Sequence, residues 1–235
     1  RPLQREHLLN WFWPDTERVA AQQVLRTTLH GLRKELGESL VVERDAIFLE
    51  PSVQVDARMF ERNLASPSTD VLKLETILEL YRGPFLDDFN PGENVEFEQW
   101  MLAERERYQR MAVRGMVSMS RLYAASGDYA AALRALERGL VLDPLQEDLQ
   151  RETIRLAYLS GDRAGAIRRY DQLRRLLDEE LGVPPMAETR SLYDQILNDS
   201  LPAPLPAAAP VPVLTTKAVV GRQESEFSLP FRSRE

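Results

Sequence analysis

The sequence has 235 residues, of which 43% are hydrophobic and 29% are charged, and it contains two histidines and no cysteine. This length allows one or two domains with a real core, and the absence of cysteine excludes disulfides and thiolate metal sites. Because no apolar run is long enough to cross a bilayer and no secretory signal is visible, we expect a cytoplasmic protein without membrane contact, metal or cofactor.

The net charge of −7 is distributed unevenly along the chain. Residues 1–50 carry seven basic and eight acidic side chains, whereas residues 51–200 carry 19 basic and 26 acidic ones. Between Arg18 and Lys34 there are four basic residues and no acidic one. Since a local basic face matters more for nucleic-acid binding than the net charge, this stretch is a candidate DNA-binding surface.

The first predicted helix is short. Its apolar residues recur at helical spacing and are Leu3, Leu8, Leu9 and Phe12. Pro14 is expected to end it, because proline lacks an N–H group and disfavours helical dihedrals in the preceding residue. Trp11 and Trp13 flank the following turn, and we interpret them as core residues rather than as platforms on which bases stack.

The second predicted helix runs from Glu17 to Leu36. We expect Asp15 or Thr16 to cap its start, and Gly37 to close it in a left-handed conformation. One stripe of this helix is apolar and should face the core; its members are Ala21, Leu25, Leu29, Leu32 and Leu36.

Hydrogen-bond donors and cations occupy the other face of this helix: Gln23, Arg26, Thr27, His30, Arg33 and Lys34. Arginine and glutamine can contact base edges through two hydrogen bonds, threonine can bond bases or phosphate, and lysine can neutralise phosphate. These groups suit a helix that enters the major groove. Periodicity alone is equally compatible with a solvated face on a small helical hairpin, and His30 is not expected to bind a metal.

Two short runs rich in β-branched and aromatic residues, LVVE and AIFLE, follow the basic helix and predict a β-hairpin. They are joined by Arg44 and Asp45. A helix, a basic helix and a hairpin in this order are typical of the C-terminal part of a winged helix, whose wing contacts the DNA backbone. Arg44 is therefore a further candidate DNA contact.

These first fifty residues also resemble a known family. The stretches WFWPD and VLRTTLHGLRKELG resemble the OmpR/PhoB-type winged helix of AfsR-like regulators, the Streptomyces antibiotic regulatory protein family. The resemblance implies that Glu17 to Leu36 is the recognition helix and that Arg26, Thr27, His30 and Lys34 contact DNA.

The sequence departs from this family in two ways. Where the family usually has glycine and an aromatic residue at the wing tip, Ala46 and Ile47 stand here. The family's domain also opens with a short sheet and a first helix that precede the matching residues. We therefore expect the leucine and tryptophan stripe to be partly uncovered, and DNA binding by these residues alone to be weak.

After Pro51 the pattern becomes helical. Helical segments are expected near Val55-Asp56 and Met59-Phe60, with a break at Ser66-Pro67-Ser68. A further helix, Asp70 to Tyr81, is expected to end before Gly83-Pro84. Its buried residues should be all or some of Leu72, Ile77, Leu78 and Leu80.

A long helix is predicted from about Glu93 to Ser126. Its broad apolar face comprises Phe97, Trp100, Met101, Tyr108, Met111, Met116 and Met119. The methionines could form an adaptable partner groove, but their helical spacing favours core packing. The acidic clusters Asp87-Asp88 and Asp178-Glu179-Glu180 lack a nearby histidine, and we interpret them as solvated faces and helix ends.

An internal repeat follows, because Ser126-Gly127-Asp128 returns as Ser160-Gly161-Asp162 after 34 residues. Other positions repeat in step, and Asp143-Pro144 separates the two units. A period of 34 residues is that of tetratricopeptide repeats, which are helical hairpins that bury their apolar faces on one another.

Several separated motifs between residues 51 and 199 resemble the bacterial transcriptional activator domain in family order. They are ELYRGPFLDDF, EFEQWMLAERER, SGDYAAAL with DPLQED, SGDRAGAIRRYDQLRRLLDEELGVPP and ETRSLYDQIL. The resemblance implies an all-helical, tetratricopeptide-like array that acts in dimer formation and activation. Met186 stands where the family often has a capping hydroxyl residue, so we expect a weaker cap or one supplied by Glu188 or a backbone group.

The tail begins with LPAPLPAAAPVPV, a composition typical of an extended spacer over residues 200–217. Residues 218–235 follow, and KAVVGRQESEF resembles the opening of a nucleotide-binding domain. The phosphate-loop pattern G-x-x-x-x-G-K-[ST] does not occur, so the sequence supports no nucleotide hydrolysis.

Three hypotheses follow from the sequence. The favoured one is a mainly α DNA-binding transcriptional activator: a partial winged helix binds double-stranded DNA, and the helical array forms a homodimer or meets RNA polymerase. The alternative is a tetratricopeptide scaffold that binds protein partners without useful DNA contact. An enzyme is disfavoured, because the sequence offers neither a nucleophile with a histidine and a carboxylate nor a phosphate loop.

Overall fold

The computed structural model describes residues 2–66, 69–92 and 94–201. Within these ranges the chain forms nine α-helices and three short strands, which confirms the mainly α fold class. The predicted spacer from residue 202 onward and the segment 218–235 lie outside the described residues.

The N-terminal unit is a small winged helix. Its elements in chain order are β1 (Leu3–Gln4), α1 (Arg5–Phe12), α2 (Arg18–Leu36), β2 (Leu40–Val42) and β3 (Ala46–Leu49). The strands form an antiparallel sheet in the order β1-β3-β2. Strands β2 and β3 form the predicted hairpin, with Val42 opposite Ile47.

The sequence did not reveal strand β1. Leu3, which was assigned to the first helix, instead pairs with Ile47 on β3. The backbone N–H of Arg5 then donates to the carbonyl oxygen of Asp45 at 3.0 Å, so the helix begins only at Arg5. A strand of two residues is too short to produce an alternating pattern, which explains the error. The predicted stop is confirmed, since α1 ends before Pro14.

Helix α2 has nearly the predicted bounds but a different cap. The carboxylate of Glu17 accepts a hydrogen bond from the backbone N–H of Ala20 at 3.0 Å, so neither Asp15 nor Thr16 caps the helix. Gly37 closes it with a φ of 58°, as predicted.

The apolar stripe of α2 is buried over only part of its length. Ala21, Leu25 and Leu29 are buried and pack with Leu9, Leu40 and Ile47 in the core of the winged helix. Leu32 and Leu36 remain 43% and 42% exposed, so only the first three members of the stripe belong to the core. The expectation of a partly uncovered stripe is confirmed at these two leucines.

Seven helices make up the rest of the described chain. They are α3 (Asp56–Leu64), α4 (Val71–Leu78), α5 (Val95–Ala125), α6 (Tyr129–Leu142), α7 (Glu147–Leu159), α8 (Arg163–Leu181) and α9 (Ala187–Leu197). Consecutive helices from α5 to α8 pack against each other as helical hairpins. Two apolar clusters between α5 and α9 and a third beneath α3 and α4 form the core.

Helix α4 is shorter than predicted and turned differently. It ends at Leu78, and it buries Leu74 together with Ile77 and Leu78. Of the residues expected to be buried, Ile77 and Leu78 are buried and Leu72 is 74% exposed, whereas Leu74 was not among them. Apolar residues occupy most of this helix, and periodicity alone could not select the buried side.

The methionines of α5 lie in the core, as predicted. Met116 and Met119 are buried in one cluster with Tyr108, and Met111 packs against that cluster. A methionine-lined groove for a partner is therefore excluded for Met116 and Met119.

The two Ser-Gly-Asp tripeptides form matching turns. Gly127 and Gly161 have φ values of 84° and 91°, in the left-handed region that favours glycine. The Asp128 and Asp162 carboxylates then cap α6 and α8 by accepting backbone N–H groups at 2.9 and 2.7 Å. The repeat thus confirms the predicted hairpin array.

The start of α9 shows how the missing capping hydroxyl is replaced. The Met186 side chain makes no cap. Its backbone N–H instead donates to the Glu147 carboxylate at 2.6 Å. Glu147 belongs to α7 and is buried, so the group that contacts this helix end is neither Glu188 nor a backbone oxygen.

Candidate nucleic-acid interface

Helix α2 presents its polar face away from the core of the winged helix. Ala21, Leu25 and Leu29 hold the helix against α1 and the sheet. With 3.6 residues per turn, the predicted contact residues project on the opposite side. All of them are exposed in the structure: Gln23, Arg26, Thr27, His30, Arg33 and Lys34. The structure therefore brings these six side chains together on one accessible surface.

Local hydrogen bonds order the first turn of this surface. The Arg26 guanidinium donates to the Gln23 side-chain oxygen at 3.3 Å. The Thr27 hydroxyl donates to the Gln23 carbonyl oxygen at 3.1 Å, which leaves its oxygen lone pairs as acceptors. Gln23 thus orients both neighbours, a role that residue spacing alone does not indicate.

Of the four basic side chains on α2, one forms an ion pair with an acidic side chain among the described residues. Arg18 forms an ion pair with Glu6 of α1 at 2.5 Å. Within the described ranges, Arg26, Arg33 and Lys34 form no ion pair. Arg33 and Lys34 also lie in the last turn, where cations interact favourably with the helix dipole. Three cations therefore remain available for an anionic partner.

The tip of the hairpin is formed by residues 43–45. Arg44 is exposed there. The Glu43 N–H donates to the Ala46 carbonyl at 2.9 Å, and the Arg5 guanidinium reaches the Glu43 carbonyl at 3.4 Å. Ile47, where the resembling family has an aromatic wing-tip residue, is buried in the core instead. Arg44 is on the hairpin and is not part of the α2 surface.

An aromatic cluster joins the winged helix to α5. The Trp11 ring lies 5.3 Å from the Trp100 ring and 5.9 Å from the Phe97 ring, and Phe12 lies 5.3 Å from Phe97, between ring centroids. Asn94 accepts from the Phe97 N–H at 2.8 Å and caps α5. The Asn94 amide also donates to the Trp11 carbonyl oxygen.

This contact gives α2 a defined position relative to the helical array. The interpretation of Trp11 and Trp13 as packing residues is confirmed, since Trp13 packs on the winged-helix core. The particular partners of Trp11 were not predicted, because nothing in the residue spacing connects residue 11 with residues 94–100.

Other site types find little support in the described part of the chain. No group of three or more histidine and acidic side chains there could hold a metal ion. The two acidic clusters are exposed. Nor is any helix among the described residues long and apolar enough to cross a membrane.

Comparisons with known proteins agree with the motifs. A family model described as the bacterial transcriptional activator domain matches residues 54–197. The transcriptional regulatory protein MoaR1 of Mycobacterium tuberculosis is 26% identical over 208 residues, which cover 81% of this chain and 65% of MoaR1. The regulatory protein AfsR of Streptomyces griseus is 28% identical over 220 residues, or 87% of this chain and 22% of AfsR. The chain thus spans less than two thirds of these relatives.

The transcriptional regulator RedD of Streptomyces coelicolor is 31% identical over 144 residues, which cover 61% of this chain and 39% of RedD. Among solved structures, Mycobacterium tuberculosis EmbR in complex with a low affinity phosphopeptide superimposes with a TM-score of 0.65 at 23% identity. The match covers 88% of this chain and 57% of EmbR, and it shows a shared fold. The chain therefore belongs to the AfsR-like family of regulators that carry a bacterial transcriptional activator domain.

Proposed function

We propose that this chain binds double-stranded DNA through α2 and activates transcription through its helical array. The observation that carries the proposal is the exposed polar face of α2, where three cations form no ion pair with any described residue and lie away from a buried apolar stripe. The family assignment supports it, because the relatives are named as transcriptional regulators.

In the proposed complex, α2 enters the major groove. Arg26 and Gln23 contact base edges, since arginine pairs well with guanine and glutamine with adenine. Thr27 and His30 lie beside them on the same face. Arg33 and Lys34 bind phosphates, and these contacts set the overall affinity.

The hairpin takes the role of the wing. Arg44 at its exposed tip contacts the backbone of the DNA next to α2. In this proposal residues 1–50 are the C-terminal part of the winged-helix domain, and residues 51–199 are the activator domain.

The array serves protein contacts in this proposal. It pairs two copies of the chain and meets RNA polymerase, so that two α2 helices address repeated half-sites on the DNA. The protein acts without catalysis, in the cytoplasm where bacterial DNA is read.

Selection of bound sequences from a random DNA library tests whether α2 recognises specific bases. The protein should enrich a short motif at moderate salt, where the sequence-independent phosphate contacts no longer dominate binding. The Arg26→Ala variant should lose preference at one position of that motif, at a cost of about 1–3 kcal/mol, because a guanidinium with two hydrogen bonds to one base is removed.

Arg138 on α6 supplies the matched control, since it is exposed and far from α2 in sequence. The Arg138→Ala variant should select the same motif as the unchanged protein. If Arg26→Ala also selects an unchanged motif with unchanged affinity, α2 is not the reading helix.

A further inference from the structure

A polar groove runs across the first helices of successive hairpins, α5, α7 and α9. One cavity of about 710 Å³ lies between α5 and α7, and a second of about 560 Å³ lies between α7 and α9. Arg151, Glu152 and Arg155 line both cavities, so the two cavities adjoin along α7 and are together called the groove. The groove is distinct from the polar face of α2, which contributes no residue to either cavity.

The groove is basic although the domain around it is acidic. Residues 51–200 carry 19 basic and 26 acidic side chains. The first cavity reverses this ratio, with four arginines and two acids among its lining residues. These are Arg114, Arg121, Arg151, Arg155, Asp148 and Glu152.

Two of the four arginines are already occupied. Arg151 pairs with Asp148 at 2.5 Å, and Arg155 forms two hydrogen bonds of 2.8 Å with Glu152. This pairing raises the pKa of Arg155, while burial acts in the opposite direction. The pairs fix the α7 wall of the groove and leave little positive charge there for a ligand.

Arg114 and Arg121 on the α5 wall are different. Both are exposed, and in the described ranges neither forms an ion pair. They are seven residues apart, which places them on one face of α5 about 10 Å from each other along the axis. Two unpaired cations thus face a ligand at a defined spacing.

The floor between these walls is apolar. Val113, Leu136 and Leu149 are buried there, and Val117 is partly buried. A ligand for this site therefore needs carboxylates at its ends or edges and an apolar group between them.

We propose that this groove binds an acidic peptide segment of another protein, with two carboxylates held by Arg114 and Arg121. A peptide in the polyproline II conformation has three residues per turn and advances about 3.1 Å per residue, so acidic residues three positions apart lie on one side, about 9 Å apart, and match the spacing of the arginines. An apolar residue between them contacts Val117 and Leu149, and arginine binds each carboxylate through two parallel hydrogen bonds.

Asp148 and Glu152 favour a peptide over DNA as the occupant. Their carboxylates can accept hydrogen bonds from the N–H groups of a peptide backbone, whereas the sugar–phosphate backbone of DNA has no donor for them. The apolar floor likewise offers nothing to a phosphodiester chain.

Fluorescence anisotropy tests the proposal with the intact protein. The probe is a labelled peptide of glutamate, leucine and serine, with two glutamates three positions apart around a leucine. The matched probe carries glutamine in place of both glutamates. We expect the acidic probe to bind at least about tenfold more tightly, because charged hydrogen bonds are lost in the glutamine probe.

Protein variants then locate the binding site. The double variant Arg114→Gln and Arg121→Gln should bind the acidic probe at least about tenfold more weakly than the unchanged protein. Arg138→Gln on α6 removes the same charge outside the groove and should bind within about twofold of the unchanged protein. Far-ultraviolet circular dichroism checks that both variants fold.

Three results would overturn the proposal: no preference for the acidic probe, equal weakening by Arg138→Gln, or displacement of the probe by random duplex DNA through the same two arginines. Lys34→Ala should leave peptide binding unchanged. Because Lys34 lies on α2 and the two arginines lie on α5, these variants distinguish a failure of DNA binding by α2 from a failure of peptide binding by the groove.

Discussion

A single glycine allows α4 and α5 to approach each other closely. A Cβ atom built on Gly115 would lie 2.7 Å from Cδ2 of Leu78 and 3.3 Å from Cδ2 of Leu64. Leu78 is fully buried in the cluster beneath α4, so its side chain would have to repack within the core to admit a methyl group. The sequence around Gly115 does not indicate that glycine is required there, because the side chain that leaves no room for a Cβ atom belongs to Leu78, 37 residues away.

Gly115→Ala should therefore destabilise the protein. Overpacking a core costs about 1–3 kcal/mol, and the better helix propensity of alanine, about 1 kcal/mol, offsets only part of it. Gly31 in α2 is the control, because a Cβ there meets nothing within 4 Å. Thermal unfolding should show a lower Tm for Gly115→Ala and an equal or higher Tm for Gly31→Ala. The same rise in both variants would contradict the close approach of α4 and α5.

The conformation and capping role of some residues could be predicted from their neighbours in the sequence. The turns at Ser126-Gly127-Asp128 and Ser160-Gly161-Asp162 have the expected glycine and aspartate roles, because capping and positive φ depend on adjacent residues. The cap of α2 was predicted wrongly, since Glu17 competes with Asp15 and Thr16 within three residues. The distant bond from Met186 to Glu147 depends on tertiary packing and had no local signal.

At the scale of elements, the contact between α1 and α5 decides how the two units are joined. Trp11 packs at a tilt against Trp100 and edge-to-face against Phe97, and Asn94 donates a hydrogen bond to the Trp11 carbonyl oxygen while it caps α5. Aromatic contacts of this kind contribute about 0.5–1.5 kcal/mol beyond the area they bury. The contact therefore orders the winged helix relative to the array.

Trp100→Ala should weaken the contact between α1 and α5 without destabilising the later helices of the array. Because the substitution removes the ring that covers Trp11, hydrogen exchange should become faster in α1 and α2. Exchange in α7 and α8 should remain unchanged, since their core does not include Trp100. Deuterium uptake measured by mass spectrometry for each helix tests this expectation. Uniform acceleration throughout the chain would point to global destabilisation, and no change in α1 would contradict the proposed role of the contact.

The elements themselves were predictable to different degrees. Long amphipathic helices such as α2 and α5 have a clear period, and their bounds differ from the predicted ones by one or two residues. Strand β1 and helix α4 were misjudged, because two paired residues and eight mostly apolar ones contain too little pattern. The hairpin of β2 and β3 was recognisable from its residue types and its polar turn.

At the scale of the whole molecule, the chain carries two basic surfaces for which we propose different ligands. The exposed face of α2 carries the cations proposed for DNA, and the groove of the array carries those proposed for an acidic peptide. The first was predicted from the sequence, because its residues lie on one helix. The second was not predicted: its two proposed cations also lie on one helix, α5, but the facing wall of the groove comes from α7, and only the packing of the hairpins brings that wall beside them.

The salt dependence of DNA binding tests the central claim most directly. Binding of a fluorescent random duplex should be measured by anisotropy at several salt concentrations for the protein, for Lys34→Ala and for the control Arg138→Ala. If Lys34 neutralises one phosphate, its removal should weaken binding at low salt and reduce the slope of log K against log salt by about 1. The control should retain the slope of the unchanged protein. Identical slopes for Lys34→Ala and the unchanged protein would contradict the assignment of α2 as the DNA-binding helix.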